Sequence, residues 1–463
     1  MSAAAAAPTV TISTLPPELL LKILLHACTT TRFSQELVVH NQFASLETHC
    51  RSCVFRNVAG VSKEWRAVAR EIMGREVAFA NGCGSSERDE AVLRFVEKDA
   101  RRAAGVKKVD ASLRRAMCGW AGWPAATNEP ATLDSESIGD TGAITSQGVE
   151  LERWREQCLN RERQRLYRLL TVCRNITELD IDVGFYAEVR AGTTLLPKSI
   201  RKLTLRNAES LDTLTIVNQL PLLEDLTLRL ALDWYLPSSP CAHLLKGACR
   251  LRRFELSTTA FGTTTLASIL ALLANSHETL TALSLRNKGG ASGVVDAFTP
   301  VAQGLIKHFA GTLEELTIKD LPRGGLRPPS IQPSADWFPA SPTSMPRLQH
   351  LHLTGLPLPS SSFFTRTIVL PSPSALRSLT LEDFDALSAA PLVDALAAPA
   401  LQRLEELSVA FAKEVEMVRR EGAWEAEREA VEGWCAGKGR EEGRTTRLKA
   451  GWQMVKVSGC GLW

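Results

Sequence analysis

The sequence predicts an α/β fold in which a small helical domain precedes a long array of parallel strands with helices outside. Three observations predict this fold. A six-residue apolar pattern recurs nine times beyond residue 170, and helical periodicity fills several of the intervening segments. Near the N-terminus, the run LPPELLLKILLH carries more apolar surface than one buried helix face requires.

Composition sets the broad class. The 463 residues suffice for two or three domains or one elongated array. A formal net charge of +3 is too small to indicate a surface for nucleic acid or membrane. Eleven cysteines without regular spacing indicate reduced thiols, and no segment resembles a signal peptide or has transmembrane length. We therefore expect a soluble protein that is cytoplasmic, nuclear or both.

The first element is a helix over residues 15–26. Pro16 suits a first turn, where no backbone N–H is needed, and Glu18 lies near the positive end of the helix dipole. Ile23 and Leu24 line one face and further leucines flank it, so the apolar surface covers most of the circumference. Such a helix is either deep in a core or covered by a partner.

A second helix is predicted in VFRNVAGVSKEWRAVAREI, residues 54–72. Val58, Val61 and Trp65 recur there at helical spacing. An insertion near residues 28–52 separates the two helices.

The repeated unit has apolar residues at its first, fourth and sixth places. A strand brings the fourth and sixth places to one face, whereas a helix does not. Unit starts are 23 to 35 residues apart. The nine units begin at Ile176, Ile200, Leu223, Leu251, Leu280, Leu313, Leu348, Leu376 and Leu404.

The segments around these units complete the array. Helical periodicity is found at 264–276, 294–311 and 389–401, and a tenth unit with Val106, Val109 and Ala111 in register follows a helix within 91–113. Residues 149–172 are also predicted to be helical. The polar, turn-rich residues from about 123 to 148 are predicted to be a disordered loop.

The C-terminal region reads as a cap. Residues 414–437 are charge-rich with helical spacing, and 451–459 suit one last strand. An open array needs such an end. A charged tail that binds another molecule is the alternative.

The units resemble the L-x-x-L-x-L signature of leucine-rich repeats. This resemblance implies a curved solenoid with parallel strands inside and helices outside. The ninth place, commonly Asn or Cys in that family, holds other residues here, so irregular curvature is expected.

The two N-terminal stretches resemble the two ends of an F-box. That resemblance implies docking on the Skp-type adaptor of a cullin-RING ubiquitin ligase, with the surplus apolar surface facing the adaptor. Leu15 to Trp65 is about 15 residues longer than the usual pattern, hence the insertion. Ser62 and Ala69 also match the closing motif, and Trp65 is expected mainly to pack. The adaptor-binding residues implied are Leu15, Pro16, Glu18, Leu19, Leu20, Ile23, Leu24, Val61 and Trp65.

Four regions follow from these assignments. They are a disordered N-terminus (1–10), an F-box-like helical domain (11–80), a leucine-rich-repeat solenoid (81–412), and a cap helix with a final strand (413–463).

The third and fifth places of each unit, and the place after the sixth, should point away from the helices. Two interpretations stay open for the charged residues there. They form a concave surface of separated charge that binds a protein substrate, or they pair with one another on a solvated face. The candidate substrate-binding residues are Glu178, Asp180, Asp182, Lys202, Arg206, Arg229, Arg253, Arg286, His350 and His352.

Catalysis by this chain is not expected. The sequence has no HExxH, GxSxG or P-loop motif, and the CxxC of Cys50 and Cys53 lacks a second matched pair of zinc ligands, so neither a metal nor a cofactor is expected. The favoured function is the substrate-recognition subunit of a Skp-cullin-F-box ligase with an unknown protein substrate. The alternative is a leucine-rich-repeat scaffold outside any ligase, whose N-terminal helices cap the solenoid.

Overall fold

The computed structural model describes part of the chain, which is mixed α/β. It forms two compact units, Met1–Leu179 and Asp180–Trp463. No described helix has the length and apolar character needed to cross a membrane. Besides isolated positions, the described residues are 75–78, 86–111, 163–182, 196–206, 210–230, 247–258, 265–287, 298–320, 342–354, 368–370, 375–384 and 403–411.

Several predicted segments lie outside these residues, apart from isolated positions. They are the N-terminal helices at 15–26 and 54–72, the insertion at 28–52, the loop at 123–148, and the C-terminal cap at 414–459.

The first unit contains two strands with two helices between them in the sequence, followed by a further helical segment. Its elements are β1 (Glu76–Ala78), α1 (Ser86–Glu97), α2 (Ala100–Gly105), β2 (Lys108–Ala111), a helical segment at 163–172 and the start of β3 (Glu178–Asp182).

The tenth unit predicted from the sequence is confirmed by β2. Val106, Val109 and Ala111 are all buried, and the preceding residues form α1 and α2. The carbonyl of Lys107 accepts hydrogen bonds from the N–H groups of Thr177 and Glu178. The helical prediction is also confirmed at 163–172.

β1 was not predicted. It pairs in parallel with β2, Val77 opposite Val109, although sequence analysis placed these residues in the helical domain ending at residue 80. Val77 is buried. Three residues are too few to show a period of two, and this explains why the strand escaped notice.

In the second unit, strands and helices continue along the chain. They are β4 (Lys202–Arg206), α3 (Ser210–Val217), β5 (Asp225–Leu230), β6 (Arg253–Thr258), α4 (Thr265–Leu272), β7 (Ala282–Asn287), α5 (Phe298–Phe309), β8 (Glu315–Asp320), β9 (Thr343–Ser344), β10 (His350–Thr354), β11 (Ile368–Val369), β12 (Ser378–Phe384) and β13 (Glu406–Phe411).

Eight of these strands form a long parallel sheet in the order β4-β5-β6-β7-β8-β10-β12-β13. Equivalent places face one another across it: Leu203 pairs with Leu226, and Leu226 with Phe254. Together with β3, all nine predicted units are strands. Their apolar residues at the first, fourth and sixth places have relative exposures of 4% or less wherever the side chain is described. The repeat prediction is therefore confirmed at the level of strands and core.

In the second unit, β5, β6, β7, β8, β10, β12 and β13 begin with the same hydrogen-bond arrangement. The carbonyl of Arg201, at the second place of its unit, accepts the N–H groups of Glu224 and Asp225 at 2.8 and 2.9 Å. The carbonyl of Arg252 accepts those of Thr281 and Ala282 in the same way, and the pattern continues to Arg377. One acceptor thus serves two donors, which fixes the register of each neighbouring pair.

The connections vary more than the strands. α4 and α5 confirm the helices predicted at 264–276 and 294–311, while the segment 389–401 is described only at isolated positions. β9 and β11 lie in proline-rich connections and pair with each other instead of forming helices. Proline lacks a backbone N–H and disfavours a helix interior, so extended structure is reasonable there.

Polar side chains tie successive repeats together before the strands begin. The hydroxyl of buried Ser276 accepts the N–H of Leu251 at 2.9 Å and donates to the carbonyl of Cys249 at 3.3 Å. Asn275 Nδ2 donates to the carbonyl of Gly247. These bonds satisfy backbone groups that burial would otherwise leave unpaired.

Candidate functional site: the polar face of the sheet

The sheet of the second unit carries one face rich in polar side chains. We call it the polar face. It consists of the third and fifth places of each unit and the place after the sixth, on the eight strands of the long sheet given above and on β3 from Asp180 onwards. Strand alternation directs these positions away from the apolar core formed by the fourth and sixth places. Glu178 belongs to the first unit, where it is partly exposed.

The pair of Asp180 and Arg206 is the most buried ion pair of this face with described geometry. Arg206 Nε and Nη2 donate to the two carboxylate oxygens of Asp180 at 2.9 and 2.6 Å. The side chain of Arg206 is 9% exposed and that of Asp180 is 20% exposed. This two-pronged geometry holds the arginine in place, so it is a structural link as much as a binding residue.

The sequence analysis was wrong about the burial of two side chains on this face. Asp182 and Arg206 were predicted to be available to a substrate, but both residues are buried. Alternation along a strand fixes the direction of a side chain and says nothing about how deeply its neighbours cover it.

Two further arginines of the predicted basic series also pair across strands. Arg253 Nη2 lies 3.1 Å from Glu315 Oε2, and Arg286 Nε lies 3.4 Å from Glu255 Oε1. Together with Arg206, these pairs favour the interpretation that the charges of the face neutralise one another. A surface of separated charge is not found at these three arginines.

The remaining candidates differ in exposure. Lys202 and His350 are exposed and Arg229 is half-buried. The ion pairs described above do not involve Lys202 or His350, so a partner reaches these two predicted residues directly.

A four-residue group, which we call the His352 cluster, joins β8, β10 and β12. It consists of Lys319, His352, Thr354 and Glu382. His352 Nε2 lies 2.9 Å from Glu382 Oε2, and the same oxygen accepts a 3.4 Å hydrogen bond from Thr354 Oγ1 and lies 3.7 Å from Lys319 Nζ. Three neighbours thus converge on one carboxylate oxygen.

The electrostatics of this cluster follow from that convergence. The hydrogen bond with His352 lowers the pKa of Glu382 to about 2, with Lys319 and Thr354 acting in the same direction and burial opposing them. Glu382 is therefore ionised at neutral pH. Lys319, His352 and Glu382 all lie at places that the sequence predicts to point away from the helices, and His352 was named there as a candidate binding residue. Thr354 lies at the place after the sixth, a position at which hydroxyl residues were not singled out.

The polar face carries charged and hydrogen-bonding side chains. In the part of the chain that the structure describes, no group of three or more His, Cys, Asp or Glu residues is arranged to hold a metal ion. What the face offers is a set of fixed charges, hydroxyls and the imidazoles of His350 and His352 on a regular strand spacing. Such an array suits hydrogen bonding to a protein surface.

A second site, in the first unit, was missed by the sequence analysis. It is an open groove of about 800 Å³ between α1 and the helical segment that contains residues 163–172, and we call it the α1 groove. The sequence does show charged residues at positions i, i+4 and i+8, which lie on one side of a helix. That spacing was used to predict the helices and not to predict a site. The lining residues are Glu90, Ala91, Arg94, Phe95, Lys98, Arg161, Gln164, Arg165 and Arg168.

Ion pairs cross this groove. Arg168 contacts both oxygens of Glu97, at 2.9 and 2.7 Å, and its Nη1 lies 3.0 Å from Glu90 Oε1. Arg94 and Arg165 also lie within 3.4 and 3.7 Å of Glu90. The hydrogen bond from Arg168 is the main reason that the pKa of Glu90 is lowered.

The described residues thus define a class: a mixed α/β protein with a long parallel sheet, one face of which is polar. Comparison with known proteins does not refine that class. No protein-family model matches the sequence, and no match is found among curated proteins.

The residues predicted to bind the adaptor are not part of either site. Leu15 to Leu24, Val61 and Trp65 lie outside the described residues. Their role therefore stays a prediction from sequence.

Proposed function

We propose that this protein is the substrate-recognition subunit of a Skp-cullin-F-box ubiquitin ligase. The N-terminal helices bind the Skp-type adaptor, and the polar face binds a target protein. The proposal is supported chiefly by one combination: an F-box-like sequence precedes a repeated parallel sheet with one polar face.

The repeat architecture supports the target-binding half of the proposal. Nine units place side chains on one face at regular strand spacing, and such a broad surface matches the size of a protein segment. In this proposal the sheet is the inner side of a curved leucine-rich-repeat solenoid. A C-terminal cap closes the solenoid.

The sequence of the first helix supports the adaptor-binding half. In the seven residues from Leu19 to Leu25, Lys22 alone is polar. Covering that much apolar surface requires more than one neighbouring face, which an adaptor subunit supplies. Ubiquitin transfer to the target then follows from proximity, because both are held in one assembly at high effective concentration.

Catalysis, in this proposal, belongs to other subunits. The chain contributes binding, needs no cofactor, and works in the cytoplasm or nucleus where cullin-RING ligases act.

Co-expression with the Skp-type adaptor tests the proposal. The tagged full-length chain is expected to retain the adaptor, and a variant with Leu19→Asp, Ile23→Asp and Leu24→Asp is expected to lose it. Leu222→Asp is the matched control. It also replaces a leucine by Asp, but at a position of the second unit that is 47% exposed. Equal retention by the triple variant and the wild type would contradict the proposal.

The alternative is an interaction scaffold outside any ligase, whose N-terminal helices cap the solenoid. Failure of the wild type to retain the adaptor would favour it. In that case the triple variant should also lower the thermal stability of the repeats, since a cap protects the end of the core.

A further inference from the structure

We propose that the α1 groove binds an acidic peptide segment of a partner protein. This inference rests on the first unit alone and does not depend on the ubiquitin-ligase proposal. It concerns a surface distinct from both the polar face and the N-terminal helices.

The walls of the groove are two helical faces. On α1, Glu90, Arg94 and Lys98 follow one another at intervals of four residues, which brings them to one side of the helix. On the opposite wall, Arg161, Arg165 and Arg168 recur at intervals of four and three. Cationic side chains therefore enter the groove from both walls.

Among the described residues of the groove, three arginines share two carboxylates. Glu90 lies close to the guanidinium groups of Arg94, Arg165 and Arg168. Arg168 also engages both oxygens of the nearby Glu97. Cations therefore outnumber carboxylates in this described set.

Two more cations extend this excess along the groove. Within the described ranges, no carboxylate pairs with Lys98 or Arg161. Both residues are exposed and line the opening. Carboxylates of a ligand can reach them without breaking an existing pair.

Phe95 gives the groove an apolar element. It is 50% exposed, and the guanidinium of Arg102 stacks 3.9 Å from its ring centroid. A half-exposed aromatic side chain beside a row of cations suits a peptide in which an apolar residue adjoins Asp or Glu. Bases of a single-stranded nucleic acid also stack on aromatic rings, so single-stranded RNA is the competing ligand in the test below.

The shape of the site points the same way. The groove is concave between two helices, so it accepts an extended segment rather than a flat membrane surface. Guanidinium groups fork towards carboxylates in two-pronged geometry, as Arg168 already does with Glu97.

Fluorescence anisotropy with the full-length protein tests this proposal. The probe is a labelled peptide with four Glu residues around one Phe, and the reference is the same peptide with Lys in place of Glu. Saturable binding of the acidic peptide, weakening as salt is added, is expected, with no binding of the basic one.

The variant Lys98→Glu with Arg161→Glu should weaken acidic-peptide binding at least tenfold. The matched control is Lys307→Glu with Arg403→Glu, which changes net charge equally at two exposed positions of the second unit and should bind as the wild type does. Phe95→Ala should weaken the Phe-containing peptide and leave a peptide with Ala in place of Phe unaffected. Unchanged melting temperatures exclude unfolding as the cause.

Three results would overturn the proposal. They are no saturable binding of the acidic peptide, equal weakening in the groove and control variants, or tighter binding of single-stranded RNA that the groove variant abolishes.

Discussion

Arg253 on β6 and Glu315 on β8 form an ion pair that passes over Ala282 of the strand between them, with 3.1 Å from Nη2 to Oε2. The arrangement depends on the small side chain of Ala282, which is 6% exposed although it lies on the polar face. Charges on alternate strands are thereby joined across β7. Pairs of this kind explain how a face with many charged residues carries little net charge of its own.

Removing Arg206 should cost far more stability than removing Arg253. In Arg206→Met, the carboxylate of Asp180 is left mostly buried without its two donors, so we expect a loss of about 2–3 kcal/mol. In Arg253→Met, the pair with Glu315 is exposed at both ends, 55% and 42%, and we expect a loss below about 1 kcal/mol. Urea titration gives both free energies of unfolding.

Asp180→Asn in the Arg206→Met background is the control for this comparison. It should recover part of the loss by removing the charge that Arg206 neutralised. Equal costs for the two arginine variants would show that burial of the Asp180–Arg206 pair is of no consequence.

Three glycines should rank in their tolerance of alanine. A Cβ at Gly247 would lie 1.9 Å from the carbonyl oxygen of Leu272, so backbone must move, and we expect Gly247→Ala to cost about 2 kcal/mol or more. A Cβ at Gly304 would meet the terminal carbons of the Leu266 side chain, which can shift, and alanine there gains helix propensity. At Gly311 no atom lies within 4 Å.

Thermal melts of the three variants check this order. Gly311→Ala should be close to the wild type, Gly304→Ala intermediate, and Gly247→Ala lowest. A melting temperature for Gly247→Ala equal to that of Gly311→Ala would contradict the close approach of these backbone segments.

Acid should weaken the His352 cluster in a defined interval. The folded pKa of Glu382, about 2, lies below its ordinary value of 4.5, so the carboxylate contributes stability that is fully present above pH 4.5. That contribution is lost as pH falls from about 4.5 towards 2, because protonation ends the attraction to Lys319 and His352. Urea midpoints measured across this interval should fall less steeply for Glu382→Gln than for the wild type.

Glu405→Gln is the matched control for the pH series. Glu405 is exposed and accepts a hydrogen bond from Arg377 at the sheet surface. If this variant flattens the acid dependence as much as Glu382→Gln does, the cluster has no special role.

The hydroxyl of Ser276 should matter more than its size suggests. Ser276→Ala leaves the N–H of Leu251 without its acceptor in a buried position, at an expected cost of about 1–3 kcal/mol. Ser344→Ala, at an exposed serine of β9, should change the free energy of unfolding by less than about 0.5 kcal/mol. Urea titrations that give equal values for the two would contradict a structural tie between these repeats.

The strands were predictable because their signal is local and repeated. Leu203, Leu226 and Leu283 each occupy the fourth place of a unit, and each is buried in a paired strand. α4 and α5 were predictable for the same reason. The short strands β9 and β11 were not, since two residues carry no period and their pairing joins distant segments.

Features that depend on tertiary packing could not be predicted. The burial of Arg206 arises from the position of Asp180 on another strand, 26 residues away. The α1 groove requires Arg168 to meet Glu97, which lies 71 residues earlier in the sequence. Periodicity predicts that each residue lies on a helix face, but it does not say which helices pack together.

Titration of the purified Skp-type adaptor into the full-length chain tests most directly whether the protein is a ligase subunit. We expect saturable one-to-one binding with a Kd tighter than about 1 μM, which corresponds to about −8 kcal/mol. Ile23→Asp should weaken this binding at least tenfold, and Leu222→Asp should leave it unchanged. Absence of measurable adaptor binding by the folded wild-type protein would contradict the proposed function.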